Sequence, residues 1–398
     1  MQILRHWLSR HPPERPALIL PDGSVFSYGA LAGRRGRSGL TLLEDDAATL
    51  AKGLIDCGLG AGTAFPLPPH LSPKARARLI EQAEATANPR LALIIATSGS
   101  SGEPKGVRLA WRSIAAAARM SERAFDLQPN DAWLACLPLH FVAGATILYR
   151  CLRAGATAVV QEGFDVHAVA RAFVERRITH VSLVPAMLAR LLDAAVLPPP
   201  SLRCALVGGA ALAPSLEERA RKAGWPIRLS YGMTETCATA LVDGRSLPGV
   251  RVRLSESGTL EVATPARMIG YLNEADVGEW LTTSDLATID EAGRVTILGR
   301  ADEMLISAGV NVHPLEVEAQ LTLCPGVREA AVMGLPDPVW GDLIAAVYEG
   351  EADEAAVEAW SRARLPSSRR PRRFLRVARL PRLASGKLDR HAVRSLWS

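Results

Sequence analysis

The chain has 398 residues, of which 48% are hydrophobic and 22% charged, which predicts a globular protein with two or more domains. Its formal net charge of +5 is too small for this length to indicate nucleic-acid binding. No apolar run approaches the roughly 20 residues that span a bilayer, and the first residues lack the apolar core of a signal peptide. Six scattered cysteines without a CxxC pair indicate reduced thiols. We therefore expect a cytoplasmic protein that binds neither membranes nor nucleic acid.

The first ninety or so residues predict a compact α/β start. The apolar runs 17–20 and 25–28 flank the turn signal "PDGS", which indicates a short hairpin. Residues 45–58 combine helical periodicity with an acidic first turn, and residues 75–85 indicate a second helix.

From residue 91 to about residue 298, short apolar runs alternate with amphipathic segments, a pattern that predicts an α/β fold with a largely parallel sheet. The predicted strands are 91–96, 132–137, 157–160, 180–184, 203–208 and 227–232. The predicted helices are 111–125, 166–177, 186–196 and 216–224. Residues 249–298 change to short alternating segments with turns, which indicate a small antiparallel β-module.

The C-terminal residues predict a further α+β unit. Residues 316–324 and 354–365 indicate helices, and residues 327–336 and 343–350 indicate strands. The run 361–383 is dense in arginine. It is either a solvated face or a surface for a phosphate-rich or acidic partner, and the sequence leaves both interpretations open.

The segment "TSGSSGEPKGV" (97–107) follows the predicted strand 91–96 and has almost nothing to bury. Backbone N–H groups and hydroxyls in such a loop can surround phosphate oxygens while a lysine supplies charge. The spacing differs from the nucleotide-binding GxxxxGK[ST] pattern, because no serine or threonine follows Lys105. A flexible surface loop is the alternative. The candidate phosphate-binding residues are Thr97, Ser98, Gly99, Ser100, Gly102 and Lys105.

Further along the chain, other segments complete a recognisable series. They are "LPLHFVAG" (137–144), "LVGGAAL" (206–212), "YGMTET" (231–236), residues 280–318 and "LPRLASGKLDR" (380–390). Together with the segment 97–107, and in this order, they resemble the signature motifs of the AMP-forming adenylating enzymes. That family includes acyl- and aryl-CoA synthetases, peptide-synthetase adenylation domains and luciferases.

The resemblance implies a large N-terminal AMP- and acyl-binding α/β domain with a small β-module, residues 1–299, and a small mobile C-terminal α+β domain, residues 300–398. It implies ATP, Mg²⁺ and CoA as cofactors and co-substrates. Thr234 would join the phosphate-binding residues, Glu235 would hold Mg²⁺, and Tyr231 would stack on adenine. Asp285 would bind the ribose, and Arg300 would add a second contact to the ribose or to a phosphate. Lys387 would bridge the carboxylate and the α-phosphate, so that the implied catalytic residues are Lys387, Thr234 and Glu235.

The resemblance also implies an acyl pocket, a hinge and a thiol-acceptor loop. The hinge would be Asp302, about which the C-terminal domain rotates between the two half-reactions. The acyl pocket would be lined by His140, Phe141, Gly208, Gly209 and Ala210, and the thiol-acceptor loop would contain Ser307, Ala308 and Gly309.

The chain departs from the family pattern in several places. The phosphate loop begins at residue 97, earlier than usual, so part of the first subdomain is expected to be abbreviated. Ser284 replaces a glycine before Asp285, which matters only if that backbone needs a positive φ. Ala308 and Val310 replace glycine and glutamate, which bears on the thioester step. His140 precedes Phe141, whereas many relatives have the aromatic residue first.

Within the family, the chain resembles the o-succinylbenzoate–CoA ligases of menaquinone biosynthesis and the related aryl-CoA ligases. We therefore expect an ATP-dependent carboxylic acid–CoA ligase, monomeric or homodimeric, that acts on an aryl or a short to medium acyl acid. One alternative is a free-standing adenylase that loads an acyl carrier protein. Another is a non-catalytic homologue that binds nucleotide.

Overall fold

The computed structural model describes residues 3–86, 90–98, 103–383 and 386–397. The helices are α1 (Ile3–Leu8), α2 (Tyr28–Ala32), α3 (Ala47–Gly60), α4 (Pro73–Ala85), α5 (Trp111–Ala124), α6 (Val142–Ala154), α7 (Val166–Glu175), α8 (Pro185–Asp193), α9 (Pro214–Lys222), α10 (Pro314–Leu321), α11 (Glu354–Arg364) and α12 (Arg390–Ser395). The strands are β1 (Pro16–Ile19), β2 (Val25–Ser27), β3 (Leu40–Leu43), β4 (Thr63–Pro66), β5 (Leu91–Ser98), β6 (Pro104–Ala110), β7 (Ala132–Ala135), β8 (Thr157–Val160), β9 (His180–Leu183), β10 (Cys204–Gly208), β11 (Ile227–Met233), β12 (Ala238–Val242), β13 (Arg245–Ser246), β14 (Arg251–Leu254), β15 (Thr259–Ala263), β16 (Gly270–Tyr271), β17 (Trp280–Ile289), β18 (Val295–Arg300), β19 (Leu305–Ser307), β20 (Val310–Val312), β21 (Val327–Asp337), β22 (Gly341–Gly350) and β23 (Arg373–Val377).

The first sheet has nine strands in the order β13-β12-β11-β10-β9-β7-β8-β1-β2. The strands from β11 to β1 are parallel, and antiparallel pairs occur only at its two edges. The prediction of a largely parallel sheet is confirmed. Parallel strands end at one edge, where α/β folds place their ligands.

Two further sheets complete the N-terminal part. The second has the order β16-β6-β5-β4-β3, with β3 to β5 parallel and β6 and β16 antiparallel. The third, β14-β15-β17-β18, is antiparallel throughout and confirms the predicted β-module. Helices α3 and α5 contact strands of both the first and the second sheet, and the largest apolar core lies there.

The fourth sheet is built entirely from residues after Met304. Its order is β20-β19-β22-β21, and β23 pairs in parallel with residues 345–349 of β22. Helices α10 and α11 pack on one face over Val317, Leu321 and Val357. A large N-terminal part and a small α+β C-terminal part are the fold class that the sequence predicts.

Several elements, among them α1, α2, α12, β3, β4, β12 and β23, were not predicted, and three further omissions have identifiable physical reasons. Helix α6 is buried on nearly all sides and so shows no amphipathic period. Strand β6 contains Pro104 and Gly106, which lower strand propensity. Gly106 is nevertheless suited to its place, since a Cβ there would lie 2.3 Å from Leu272 Cδ1. Strand β17 carries Thr283 and Asp285, which made the region resemble a turn.

All six cysteines are buried and unpaired. Among the residues that the structure describes, every helix is too short or too polar to cross a lipid bilayer.

Candidate active site

The predicted phosphate-binding segment begins and ends on two paired strands. Strands β5 and β6 pair antiparallel, with Thr97 opposite Lys105, and the Thr97 hydroxyl donates to the Lys105 carbonyl at 3.4 Å. Gly99, Ser100 and Gly102 lie outside the described residues, as does the side chain of Ser98. The sequence predicted a loop here, and the structure adds that Lys105 lies on a strand.

The ammonium of Lys105 makes two contacts, one with β16 and one with the segment that follows it. Its Nζ donates to Glu274 Oε1 at 3.1 Å and lies 4.7 Å from the centre of the Tyr271 ring. Both charged side chains of the ion pair are about half exposed, 46% for Lys105 and 50% for Glu274. Lys105 is therefore held toward the second sheet's edge by a carboxylate and an aromatic face.

Glu235 lies in a short 3₁₀ turn, Thr234–Thr236, directly after β11. The Tyr271 hydroxyl donates to Glu235 Oε1 at 2.7 Å, and the Met268 N–H donates to the Glu235 carbonyl at 2.8 Å. Among the described residues, no group of three or more His, Cys, Asp or Glu side chains forms a complete metal cage. One fixed carboxylate suits Mg²⁺, which usually binds one or two carboxylates together with substrate phosphates and water.

Tyr231 and Asp285 meet across two sheets. Tyr231, on β11, donates its hydroxyl to Asp285 Oδ2 at 2.7 Å, and Asp285 lies on β17. Burial, and then the neighbouring Asp285 carboxylate, raises the pKa of Tyr231, so that the hydroxyl stays protonated. The Asp285 N–H donates to the Thr283 hydroxyl at 3.1 Å. Ser284 lies in extended strand without a positive φ, so its Cβ causes no strain.

Arg300 links Asp285 with the predicted hinge. It lies opposite Asp285 in the β17–β18 ladder, with Nη1 3.9 Å from Asp285 Oδ1. Its Nε and Nη2 donate to both carboxylate oxygens of Asp302, at 2.9 and 2.8 Å. This bidentate bond lowers the pKa of Asp302. The candidate ribose site and the candidate hinge thus share one guanidinium.

Lys387 reaches the same cleft from the C-terminal part. Just before it, the Gly386 N–H donates to the Leu383 carbonyl at 2.8 Å. Gly386 packs on Val184, and Lys387 Cε lies 3.8 Å from the position that a Cβ on Gly209 would take. Lys387 as a whole remains exposed to solvent, although many protein atoms surround its side chain.

The electrostatics around Lys387 place it among the other candidate groups. Burial lowers the pKa of Lys387 below the ordinary value for lysine, and the nearby Arg300 lowers it further. Glu235 and Asp285 act in the opposite direction. Lys387 thus lies against Gly209, near enough to the predicted magnesium and ribose residues for their charges to act on it.

The predicted pocket residues His140 and Phe141 precede helix α6. Their rings meet edge to face with ring centres 4.4 Å apart. The ring centre of His70 lies 6.1 Å from that of His140 and 6.2 Å from that of Phe141. Burial, and then His70, lowers the pKa of His140 to about 4, and its Nε2 is buried without a hydrogen-bond partner. His140 is therefore neutral at physiological pH.

Gly208 ends β10 at the carboxyl edge of the first sheet, and Gly209 and Ala210 follow it. A Cβ on Gly208 would lie 2.9 Å from the Ser230 carbonyl oxygen, so the two backbones approach too closely for a side chain. Gly209 has φ +81°. No hydrogen bond joins these residues to His140 or Phe141 within the described part of the chain.

The predicted thiol-acceptor loop is the turn between β19 and β20. Ala308 and Gly309 have φ +51° and +77°, the two left-handed residues of a tight hairpin turn. The Ala308 N–H donates to the Trp340 carbonyl at 2.8 Å. Ser307 is buried, while Ala308 and Gly309 are exposed. The departure from glycine at position 308 therefore places an alanine in a conformation that glycine prefers.

Most arginines of the run 361–383 bind within the C-terminal part. Arg362, Arg369 and Arg382 pair with glutamates, and Arg372 stacks on Trp340 at 3.6 Å. The remaining members with internal partners are Arg364, which stacks on Trp360, and Arg370 and Arg376, which donate to backbone carbonyls. Arg373 and Arg379 have no ion pair or hydrogen bond among the described residues.

Sequence reasoning missed four residues that contact the candidate site. Tyr271 and Glu274 contact Glu235 and Lys105, and His70 contacts the pocket rings. Arg78, on α4, pairs with Glu103 and donates to the Pro104 carbonyl at 2.7 Å, so it holds the start of β6. Tyr271 and Glu274 lie in a short strand and in the polar residues that follow it, just before the ribose motif. That pattern in the sequence could have pointed to them.

Comparison with known families identifies the arrangement. A model of the AMP-binding enzymes matches residues 54–272, and a model of the AMP-binding enzyme C-terminal domain matches residues 316–387. The chain belongs to the AMP-binding enzyme family. The family and the fold class that the sequence predicts are both confirmed.

Individual relatives of this AMP-binding enzyme point to one branch. The 2-succinylbenzoate–CoA ligase of Bacillus licheniformis is 36% identical over 331 residues, 76% of this chain and 69% of the relative. The o-succinylbenzoate CoA synthetase of Bacillus subtilis, in complex with the acyl-adenylate intermediate OSB-AMP, matches with a TM-score of 0.86 and 26% identity, covering 98% of this chain and 97% of that one. The same synthetase in complex with ATP and magnesium ion matches with a TM-score of 0.84 and 25% identity, covering 98% and 99%.

Proposed function

We propose that the protein is an ATP-dependent ligase that converts 2-succinylbenzoate to its acyl-adenylate and then to its CoA thioester. The observation that carries this proposal is the position of Lys387 in one cleft with Glu235 and Asp285, in a chain 36% identical to a 2-succinylbenzoate–CoA ligase. A cation there faces the point at which a carboxylate and an α-phosphate would meet.

In the first half-reaction, a carboxylate oxygen of the acid attacks the α-phosphorus of ATP, and the bond to pyrophosphate breaks. Lys387 stabilises the charge at the α-phosphate, and Lys105 stabilises the charge that develops on the leaving pyrophosphate. Asp285 accepts hydrogen bonds from the ribose hydroxyls. Glu235 would hold Mg²⁺, which would supply positive charge beside the phosphates.

In the second half-reaction, the thiol sulfur of CoA attacks the acyl carbonyl, the thiol proton is lost and AMP leaves. We propose that residues 300–398 form a separate domain that turns about Asp302 between the two steps. All strands of the fourth sheet lie beyond that residue, which supports this boundary. The turn Ala308–Gly309 would then approach the thiol.

For the acid itself, we propose that the aryl ring packs on Phe141 and that neutral His140 donates to an oxygen of the substrate. The support is a buried imidazole whose Nε2 has no partner in the protein, next to an aromatic wall. An unpartnered buried polar atom is costly and gains a bond when substrate binds.

Exchange of labelled pyrophosphate into ATP, measured with a panel of acids, tests the first half-reaction. We expect exchange with 2-succinylbenzoate and much less with benzoate, succinate or hexanoate. Exchange with no acid of the panel would refute the enzymatic proposal. Exchange with hexanoate alone would refute the aryl acid while leaving the adenylation chemistry intact.

We further propose a cytoplasmic enzyme that uses CoA rather than a carrier protein. Six buried, unpaired cysteines suit a reducing compartment. Arg373 is the member of the cluster 369–373 with a guanidinium left for a phosphate. We expect R373A to raise KM for CoA and leave adenylation unchanged, whereas turnover with a carrier protein only would contradict the proposal.

A further inference from the structure

Strand β16 fixes a short segment against strand β6. Tyr271 pairs with Val107, and the Leu272 N–H donates to the Gly106 carbonyl at 2.8 Å. The Leu272 side chain fills the space that a Cβ on Gly106 would need. The side chains that follow are therefore held at a set distance from Lys105.

Glu274 is fixed through its backbone, while its carboxylate stays half exposed. Its carbonyl accepts a hydrogen bond from Arg108 Nη2 at 2.8 Å, and Arg108 also pairs with Asp276 at 3.2 Å. Arg108 is buried, so this anchor is rigid. The carboxylate then meets Lys105 Nζ at 3.1 Å while that ammonium also contacts the face of Tyr271.

The same ammonium is the cation that the proposed reaction uses at the leaving pyrophosphate. An ion pair between two half-exposed side chains is weak, so a group with several negative charges can replace the carboxylate. Breaking the ion pair between Lys105 and Glu274 nevertheless makes binding of the phosphates less favourable. Once the bond between the α- and β-phosphates of ATP is broken, Glu274 is positioned to pair with Lys105 again.

We propose, on the basis of the proposed function, that Glu274 is a positioning residue that competes with the β- and γ-phosphates of ATP for Lys105. The competition weakens binding of ATP and of the pyrophosphate product, and it leaves binding of AMP unchanged, because AMP lacks those phosphates. Glu274 thereby favours release of pyrophosphate after adenylation.

Calorimetric titration of the full-length protein with Mg²⁺-ATP and, separately, with AMP tests this, in the absence of any acid so that ATP is not consumed. We expect E274Q to bind ATP about two- to fivefold more tightly, the range that corresponds to an exposed ion pair, and to bind AMP as the native protein does. E279Q is the matched control, because it removes the same charge from an exposed side chain five residues away, paired with Arg251, and leaves Lys105 and Arg108 paired.

Each outcome decides a different point. If E279Q tightens ATP binding as much as E274Q does, the effect is general electrostatics and the proposal is wrong. In a K105Q background E274Q should change nothing, and a persisting effect would equally overturn the role of Lys105. Unchanged ATP affinity in E274Q with normal AMP binding refutes this inference alone, whereas absence of AMP binding in the native protein refutes the proposed function.

Discussion

Replacement of Gly386 by alanine should impair adenylation selectively. Gly386 precedes Lys387 and has φ +81°, in the left-handed region that alanine adopts only with strain. A Cβ at this position would lie 2.9 Å from Val184 Cγ2, on the N-terminal side of the cleft. Valine is stiff about χ1, so it cannot simply turn away.

The magnitude follows from the conformation and the contact. The left-handed region costs a non-glycine residue about 1–2 kcal/mol. If that cost falls on the arrangement that seats Lys387 beside Gly209, adenylation should slow by about five- to thirtyfold. The contact with Val184 adds to this. The V184A/G386A double variant should recover the part that is due to the contact.

The assay compares two half-reactions of one preparation. Acid-dependent pyrophosphate exchange reports adenylation, and thioester formation from a chemically prepared acyl-adenylate reports the second step, which we expect G386A to spare. G293A is the matched control, because Gly293 has φ +72° with open space around its Cβ position and lies in a remote turn. The reasoning is refuted if G386A slows both half-reactions equally, or if G293A shows the same split.

Three further variants and conditions test individual contacts. Since burial and Arg300 lower the pKa of Lys387, adenylation should fall as pH rises through that lowered value, below the pH at which an ordinary lysine loses its proton. K387R should lose this alkaline decline in a pH–rate profile. A decline that remains in K387R would belong to another group. Y271F keeps the ring beneath Lys105 but removes the donor to Glu235, so the Mg²⁺ concentration for half-maximal exchange should rise about tenfold. A308G relieves the left-handed alanine, worth about 1–2 kcal/mol, and loses about 0.4–1 kcal/mol to the freer unfolded chain. It should therefore raise stability by up to about 1.6 kcal/mol in denaturant titration, and a loss would show that the turn is not strained.

The local pattern of the sequence carries most of the secondary structure. Helix α3 shows its period, its stop and its N-cap, where Asp46 accepts from the Thr49 N–H at 2.7 Å. The hairpin of β1 and β2 shows its turn residues. Helix α6 could not be predicted in this way, because burial on all sides erases the polar face that marks a helix.

The candidate site, too, could be predicted from the sequence only in part. Motif order predicts which groups take part, and the structure places Tyr231, Asp285, Arg300 and Lys387 together, although their individual roles stay predictions. The partners of those groups could not be predicted, because Lys105 and Glu274 are 169 residues apart and meet only through the pairing of β6 with β16. Likewise, only the backbone shows that Ser284 is harmless and that Ala308 is left-handed.

The charged and polar groups of the site are joined in pairs, and this has an energetic consequence. Tyr231 donates to Asp285 and Arg300 clasps Asp302, so each partner is held in place before a nucleotide binds. Removing one partner leaves the other charge without compensation in a partly buried cleft, which costs more than the pair contributes. Single substitutions in this network should therefore exaggerate the contribution of each contact. Double-mutant cycles across Tyr231 and Asp285, and across Arg300 and Asp302, are needed to separate binding of the ribose from support of the hinge.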